Sequence, residues 1–146
     1  MWIVFKIDRK KLNFFKNEIN FKAGSNTLIY SPKMLINHFL KNKLVSKEFP
    51  LLGDYVFCYN KNFSNKSVLE SLKYTKGCKL ILKGFSNCQL EIEKFINNCK
   101  KFENEKGYIS ENFFLLREIF KLPSNTSSLC FSIFKILNTW LTNGPV

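Results

Sequence analysis

The sequence predicts an α+β fold in which helices pack against one sheet. Short runs of β-branched and aromatic residues alternate with longer segments in which apolar residues recur every three or four positions. Apolar residues make up 45% of the 146 residues, which is enough to build a hydrophobic core. Because single helices separate successive strands, we expect those helices to cover a common sheet.

The first strand and helix are predicted before Gly24, which stands where a helix end would place a glycine. The run Trp2 to Ile7 favours a strand, and Asp8 follows it at a position typical of a helix N-cap. Three apolar residues then recur at helical spacing: Leu12, Phe15 and Ile19.

The middle of the chain predicts two strands separated by a mixed basic and apolar excursion. The stretch Asn26 to Tyr30 favours a strand that ends at Ser31-Pro32, because proline cannot donate to a sheet ladder. Residues 35–47 favour a protruding hairpin or loop. In the next strand, Asp54 to Tyr59, alternate aromatic residues share one face: Tyr55, Phe57 and Tyr59.

Two further helices and a strand complete the order β-α-β, hairpin, β-α-β-α. Ser64 is predicted to cap a helix that closes at Gly77, and the stretch Cys78 to Leu82 favours a strand. Ser86 and Gln89 have the spacing of a capping box for a third helix.

This order predicts a ferredoxin-like α/β sandwich over residues 1–105, with antiparallel strands in the sheet and helices packed on it. The charged and Asn-rich stretch Lys100 to Gly107 favours a linker. Residues 106–146 are therefore expected to form a linker and a short C-terminal appendage.

The net charge of +12 leaves two explanations open. A basic domain attracts polyanions and is typical of nucleic-acid-binding proteins. Lys, Asn, Ile and Phe are also abundant together, which is the bias that an AT-rich genome imposes whatever the function. Charge alone therefore does not identify a partner.

The residues that catalysis or metal binding requires are scarce in the sequence. His38 is the single histidine, and neither a GxSxG motif nor a phosphate-binding glycine loop occurs. The five cysteines form no CxxC pair and favour buried free thiols in a reducing cytosol. Charges at Lys6 and Asp8 come too early for a signal peptide. We expect a cytoplasmic protein that is not an enzyme and holds no metal or cofactor.

Two features are candidates for binding. Basic residues cluster where the first helix begins, and they favour either a phosphate-binding patch or a solvated helix face. The aromatic strand favours either half of a core or a base-stacking surface like that of an RNA-recognition motif. The second match is poor, since Leu52 and Tyr55 stand where that motif has a basic and a small residue.

Several ordered pieces of residues 2–102 resemble the N-terminal domain of the NusG family of transcription elongation factors, particularly its specialised paralogues. They are Trp2-Ile3-Val4, the basic helix Lys10 to Phe21, Tyr30-Ser31-Pro32 with a basic excursion after it, FPLLGDYVF from Phe49 to Phe57, Thr75-Lys76-Gly77-Cys78, and a final helix near Ser86. FPLLGDYVF departs from the compact family pattern by Leu51, Leu52 and Asp54. The turn before its strand must therefore be longer than in the family.

The resemblance implies a monomeric elongation or antitermination factor that docks on the clamp helices of the largest RNA polymerase subunit, meets the β subunit with the region around its second helix, and suppresses pausing. It implies an apolar docking patch formed or supported by Tyr30, Pro32, Phe49, Pro50, Tyr55 and Phe57. It further implies that basic residues face the non-template DNA strand of the transcription bubble: Lys6, Arg9, Lys10, Lys11, Lys16, Lys41 and Lys43. The alternative is a single-strand nucleic-acid-binding module that works without polymerase.

The C-terminal region departs most from the family, which usually adds a barrel, the KOW domain, of about fifty residues. Only 36 residues follow Ser110, too few to close such a barrel, although LCFSIFKILN could be a remnant of one strand. One hypothesis is a helical hairpin, Ile109–Phe120 and Leu129–Leu141, that covers the polymerase-binding face. The other is a truncated, partly disordered tail without a regulatory role.

Overall fold

The computed structural model describes residues 1–82 and 85–109, which form a mixed α+β structure. Its strands and helices follow the predicted order, and the α+β class is confirmed. The elements are β1 (Trp2–Ile7), α1 (Leu12–Ala23), β2 (Leu28–Tyr30), β3 (Lys33–Leu40), β4 (Lys43–Pro50), β5 (Tyr55–Tyr59), α2 (Lys66–Leu72), β6 (Cys78–Ile81) and α3 (Gln89–Lys101). The helical hairpin, disordered tail and barrel remnant considered for the C-terminal region begin at or beyond its edge and lie outside the described residues, as does Cys130.

The described residues divide into two compact units, the first made of residues 1–31 and 54–89 and the second of residues 32–53 and 90–109. The first unit contains a four-stranded sheet in the order β2-β5-β1-β6. Every neighbouring pair in this sheet is antiparallel. Strand β1 is therefore central, between β5 and β6.

Helices α1 and α2 supply one side of the core of the first unit. Alternate residues of β1 point into this core because side chains of a strand alternate between faces. Phe15 packs edge-on against Phe5, with ring centroids 5.2 Å apart. Burying a side chain of this size stabilises the fold by about 1.5–3 kcal/mol. The buried members of this cluster are Ile3, Phe5, Ile7, Phe15, Ile19, Ala23, Val56, Cys58, Phe63 and Leu72.

The helix starts differ in detail from the predictions. Asp8 caps as expected, accepting from the backbone N–H of Lys10, but it caps a short 3₁₀ turn and α1 begins only at Leu12. The second helix is capped by Asn65 instead of Ser64, since the Asn65 side chain accepts from Ser67 N. That helix ends at Leu72, five residues before the predicted end.

The third helix begins at Gln89, so the prediction of Ser86 as its N-cap is wrong. Ser86 lies instead in a 3₁₀ turn, Phe85–Asn87. The carboxamide of Gln89 bonds both backbone groups of Trp2, with Oε1 accepting at 2.8 Å and Nε2 donating at 2.7 Å. The Gln89 side chain, which the Ser86–Gln89 spacing predicted to cap the helix locally, thus binds a strand residue distant in the sequence.

The stretch Lys100 to Gly107, predicted as a linker, is ordered within the second unit. Helix α3 continues to Lys101, and Asn104 N donates to the carbonyl of Tyr108 at 2.9 Å. Ile109 is buried, and its N–H donates to the carbonyl of Lys33 at 2.9 Å. The folded chain therefore extends at least to Ile109.

Replacing Gly77 by Ala tests the close approach of α1 to the turn before β6. Gly77 has φ +88°, and an added Cβ would lie 3.1 Å from Lys11 Cβ and 3.2 Å from the Lys11 carbonyl oxygen. We expect Gly77→Ala to lower the free energy of unfolding by about 2–4 kcal/mol, because backbone strain and crowding act together.

Gly53→Ala is the matched control, since Gly53 has φ +59° but open space around its Cβ position. Strain alone should cost about 1–2 kcal/mol there. Urea unfolding of both variants measures the difference, and equal losses would contradict the crowding at Gly77.

Candidate binding surfaces

The basic cluster at the start of α1 contains one residue whose role is structural. Arg9 is half-buried and donates to Ser31 Oγ at 2.9 Å and, at 3.5 Å, to the carbonyl of Tyr55. Burial lowers the pKa of Arg9, and the Asp54 carboxylate opposes that shift. Its guanidinium thus ties the start of the first helix to the neighbouring strands.

The other basic residues of this cluster are exposed on the first unit. They are Lys10, Lys11 and Lys16. The backbone N–H of Lys10 already bonds to the carboxylate of Asp8, which would repel a phosphate at the predicted anion site. These lysines can therefore attract an anion by their charge, but the backbone N–H of Lys10 is not free to bind it.

The sheet face opposite α1 and α2 is buried at its centre. Val4 and Phe57 are a cross-strand pair that is 2% and 0% exposed, and Trp2 is buried beside them in β1. Tyr30 stacks on Phe57, with ring centroids 6.4 Å apart. Phe57 can therefore support Tyr30 but cannot itself contact a partner in this conformation.

The two tyrosines of β5 are more accessible than Phe57. Tyr55 is half-buried, with Lys6 Nζ 5.7 Å from its ring centroid. Tyr59 is exposed and lies against Trp2, with ring centroids 5.2 Å apart. Tyr55 and Tyr30 are thus the accessible members of the predicted docking patch on the first unit.

The remaining members of the predicted docking patch belong to the second unit. Pro32 is buried and Pro50 half-buried, whereas Phe49 is 47% exposed. Leu51 and Leu52, which lengthen this segment relative to the NusG pattern, are both buried. The added leucines therefore contribute to packing and leave Phe49 as the accessible aromatic residue.

Strands β3 and β4 form the hairpin that residues 35–47 predicted. Eight residue pairs are in regular antiparallel register, from Lys33↔Pro50 to Leu40↔Lys43. Lys41 and Asn42 make the turn with φ of 49° and 62°, as a two-residue type I′ turn requires. Two of the residues predicted to bind nucleic acid, Lys41 and Lys43, are exposed in this hairpin.

Apolar residues next to this turn are exposed, which the sequence reasoning missed. Phe39 is 77% exposed, Leu44 61% and Leu40 57%. The stretch HFLKNKLV, residues 38–45, does indicate a tight hairpin with apolar residues beside its turn, since those residues flank a short segment that contains asparagine. Period-two alternation alone gave no reason to expect apolar side chains on both faces.

An ion-paired cluster anchors the base of the hairpin. Lys33 Nζ lies 3.2 Å from Glu48 Oε1 and 4.9 Å from the ring centroid of Tyr108. The Tyr108 hydroxyl donates to the same carboxylate. Within the second unit, residues beyond α3 are thereby connected to the hairpin by side chains as well as by backbone.

The cysteines are not arranged as metal ligands in the described part of the chain. Cys58, Cys88 and Cys99 are buried, Cys78 is half-buried, and burial raises the pKa of the Cys58 thiol. Residues 1–82 and 85–109 contain no group of three His, Cys, Asp or Glu side chains that could hold a metal ion. Nor do these residues include a helix long and apolar enough to cross a membrane.

Arg9→Ala should destabilise the protein, whereas Lys10→Ala should not. Loss of the Arg9 hydrogen bond to Ser31 and of its packed stem should cost about 1–2 kcal/mol. The exposed Lys10 should change the free energy of unfolding by no more than about 0.5 kcal/mol. Equal effects of the two variants in urea unfolding would refute the structural role of Arg9.

The cluster at the base of the hairpin predicts a measurable pH dependence. Hydrogen bonds from Tyr108 and Lys33 hold the pKa of Glu48 below its ordinary value. Because the folded pKa is the lower one, the stabilisation is present above the ordinary glutamate value of about 4.3 and is lost as the pH falls through the folded pKa. Tyr108→Phe should therefore raise the NMR titration midpoint of the Glu48 carboxyl, and an unchanged midpoint would contradict the contact.

Comparison with known proteins does not assign the chain to a family. No protein-family model matches it, and no curated protein matches its sequence.

Proposed function

We propose that this protein is a NusG-like transcription elongation or antitermination factor that binds RNA polymerase in the cytoplasm. In this proposal it docks on the clamp helices, bridges the main channel and so suppresses pausing. Its action is binding alone, and it works as a monomer outside the polymerase complex. Exposed lysines add an attraction to the non-template DNA strand that weakens with salt.

The observation that carries this proposal is the position of the basic hairpin within the order of the strands. The sheet order β2-β5-β1-β6, with helices following β1 and β5, supports the ferredoxin-like sandwich of this proposal. The β3–β4 hairpin is inserted between β2 and β5 in the sequence. In the NusG N-terminal domain that the sequence resembles, a variable basic excursion stands at the same point, directly after the segment that matches Tyr30-Ser31-Pro32.

The buried centre of the sheet face opposite α1 and α2 favours docking on polymerase over the alternative, a free module that binds single strands. A module that stacks bases on its sheet needs open aromatic rings on the central strands. Phe57 is fully buried and Trp2 is 8% exposed, so those rings are not open. On the described part of this face, bases could reach the rings of Tyr30, Tyr55 and Tyr59, which lie away from its buried centre.

Apolar docking supplies the affinity in the proposed complex. Half-buried Tyr55 on the first unit and exposed Phe49 on the second can each lose water against an apolar partner. Aromatic residues commonly dominate the energy of such interfaces. Tyr30, held by its stacking on Phe57, is already ordered for contact and has less conformational freedom to lose.

Binding of the full chain to a purified clamp-helix fragment tests this proposal. Tyr55→Ser combined with Phe49→Ser should weaken the affinity about tenfold or more, because two contact residues are lost. The matched control combines Tyr74→Ser and Phe21→Ser, which change two highly exposed aromatic residues outside the predicted patch. This control should bind like the wild type.

Two outcomes would overturn the proposal. In one, the folded wild-type chain fails to bind the clamp fragment. In the other, the Tyr55 and Phe49 variant binds as tightly as the control. Tight binding of single-stranded RNA that depends on Tyr55, without any clamp binding, would replace the proposal by the free nucleic-acid-binding module.

A further inference from the structure

A cavity of about 490 Å³ lies between helix α2 and strand β6 of the first unit. It is lined by Leu69 and Glu70 of α2, by Lys73 directly after that helix, and by residues 78–82. Cavities that hold small ligands typically have volumes of about 300–1,000 Å³. The space is therefore large enough for a small molecule, and none of the residues assigned above to docking or to DNA lines it.

The apolar part of the lining is aliphatic except for one thiol. Leu69, Leu80, Ile81 and Leu82 supply the aliphatic side chains, and Cys78 supplies the thiol. No aromatic ring is among the described residues that line the cavity, so a ligand cannot stack there. An aliphatic chain is therefore the apolar body that this lining fits, because burying it against methyl groups needs no particular ring geometry.

Strand β6 is irregular where it borders the cavity. Two of its residues, Cys78 and Leu80, pair with successive residues of β1. Lys79 between them is therefore the extra residue of a β-bulge. A bulge interrupts the regular ladder and redirects the side chain of the extra residue. Lys79 is exposed and is one of the residues that line the cavity.

The charged side chains that line the cavity are two lysines and one glutamate. Lys73 Nζ lies 2.9 Å from Glu70 Oε2, and Lys79 Nζ lies 3.1 Å from Oδ2 of Asp54, which is outside the lining. Both pairs are largely exposed, and ion pairs in water contribute little to stability. Either ammonium group can therefore turn to a ligand at small cost, and the lining complements a single negative charge.

We propose that this cavity binds an aliphatic carboxylate, a small molecule with an apolar chain and one negative charge. The chain lies against Leu69, Leu80 and Ile81, and the carboxylate accepts from Nζ of Lys79 or Lys73. Removal of the chain from water supplies the affinity, and the charge-assisted hydrogen bond fixes which end of the ligand faces the solvent. This site goes beyond the proposed function and does not rest on it.

The geometry of β6 favours a small molecule over an added peptide strand. Among the described residues β6 is an edge of the sheet, and an open edge can pair with an extended peptide. However, β6 has only four residues, Cys78–Ile81, and it carries a bulge at a lysine. Short edge strands, bulges and edge lysines all discourage strand addition. An occupant that fills the cavity without extending the sheet is therefore favoured.

Titration of the full chain with octanoate, followed by ¹H–¹⁵N NMR, tests this inference. Octanoate should bind saturably below its micelle concentration and shift the amide signals of residues 69–73 and 78–82. Octan-1-ol has the same chain without the charge and should bind about fivefold more weakly, because it makes no charge-assisted hydrogen bond. Butyrate should bind about tenfold more weakly or worse, since half of the chain is missing.

Two variants separate the charged contact from the apolar one. Lys79→Gln should weaken octanoate binding about fivefold and leave octan-1-ol binding unchanged. Leu80→Ser should weaken the binding of both probes, because it removes part of the apolar lining. Both side chains are exposed, Leu80 at 43%, so circular dichroism should show that both variants fold.

The matched controls change residues that do not line the cavity. Lys66→Gln removes an exposed lysine at the start of α2, and Leu90→Ser removes a leucine that is 66% exposed. Both controls should bind octanoate like the wild type. Losses equal to those of Lys79→Gln and Leu80→Ser would mean that octanoate adheres to charge and apolar surface in general, and would overturn the inference.

The thiol of Cys78 gives a second measurement of occupancy. Cys78 lines the cavity and is half-buried, whereas Cys58, Cys88 and Cys99 are buried. Octanoate should slow the alkylation of Cys78 by iodoacetamide, and mass spectrometry of the peptides assigns the reaction to this residue. An unchanged rate at saturating octanoate would place the ligand elsewhere and contradict the site.

Three results of the titration would overturn the inference. They are the absence of saturable octanoate binding, amide shifts that leave residues 69–73 and 78–82 unaffected, and equal affinities for octanoate and octan-1-ol. The clamp-binding experiment uses none of the residues of this cavity. Failure of the proposed function and failure of this inference are therefore distinguishable.

Discussion

The burial of β1 on both faces is the constraint on which the first unit depends. Trp2 to Phe5 and Ile7 are all buried, so successive residues of one strand are removed from water on opposite sides of the sheet. A shift of register by one residue would exchange the two faces and place every side chain in the wrong environment. This strand thereby fixes β5 and β6 beside it, and through β5 it fixes β2.

Patterns in the sequence predicted the order of the elements well, because periodicity reports which residues a helix or strand must bury. They predicted helix starts less well, since adjacent polar residues compete for the same backbone groups. Asn65 and Ser64 can both cap a helix, and only the backbone conformation shows that Asn65 does so. Gln89 was assigned to a local cap, yet its carboxamide bonds Trp2, which no local pattern can reveal.

The candidate binding residues could be predicted only in part, because a local pattern does not show which side chains distant residues bury or bind. Arg9 and Lys10 are neighbours with the same charge, but burial gives the first a structural role and leaves the second in water. The period of two in β5 correctly predicted that Phe57 shares a face with Tyr55. It could not show that this face is covered at Phe57, because coverage depends on residues distant in the sequence.

The covered sheet also limits where nucleic acid can be bound. Phe57 is buried and cannot stack on a base, and the Asp8 carboxylate accepts from the N–H of Lys10 in the 3₁₀ turn before α1, where it would repel a phosphate. The outer part of the β3–β4 hairpin, by contrast, combines the exposed ring of Phe39 with Lys41 and Lys43, which form no ion pair within the described residues. A base and its phosphate need both kinds of contact within a few ångströms of each other, since stacking alone lacks long-range attraction and charge alone lacks a preferred position. This part of the hairpin offers both kinds of contact, and none of its residues contributes to the burial of β1.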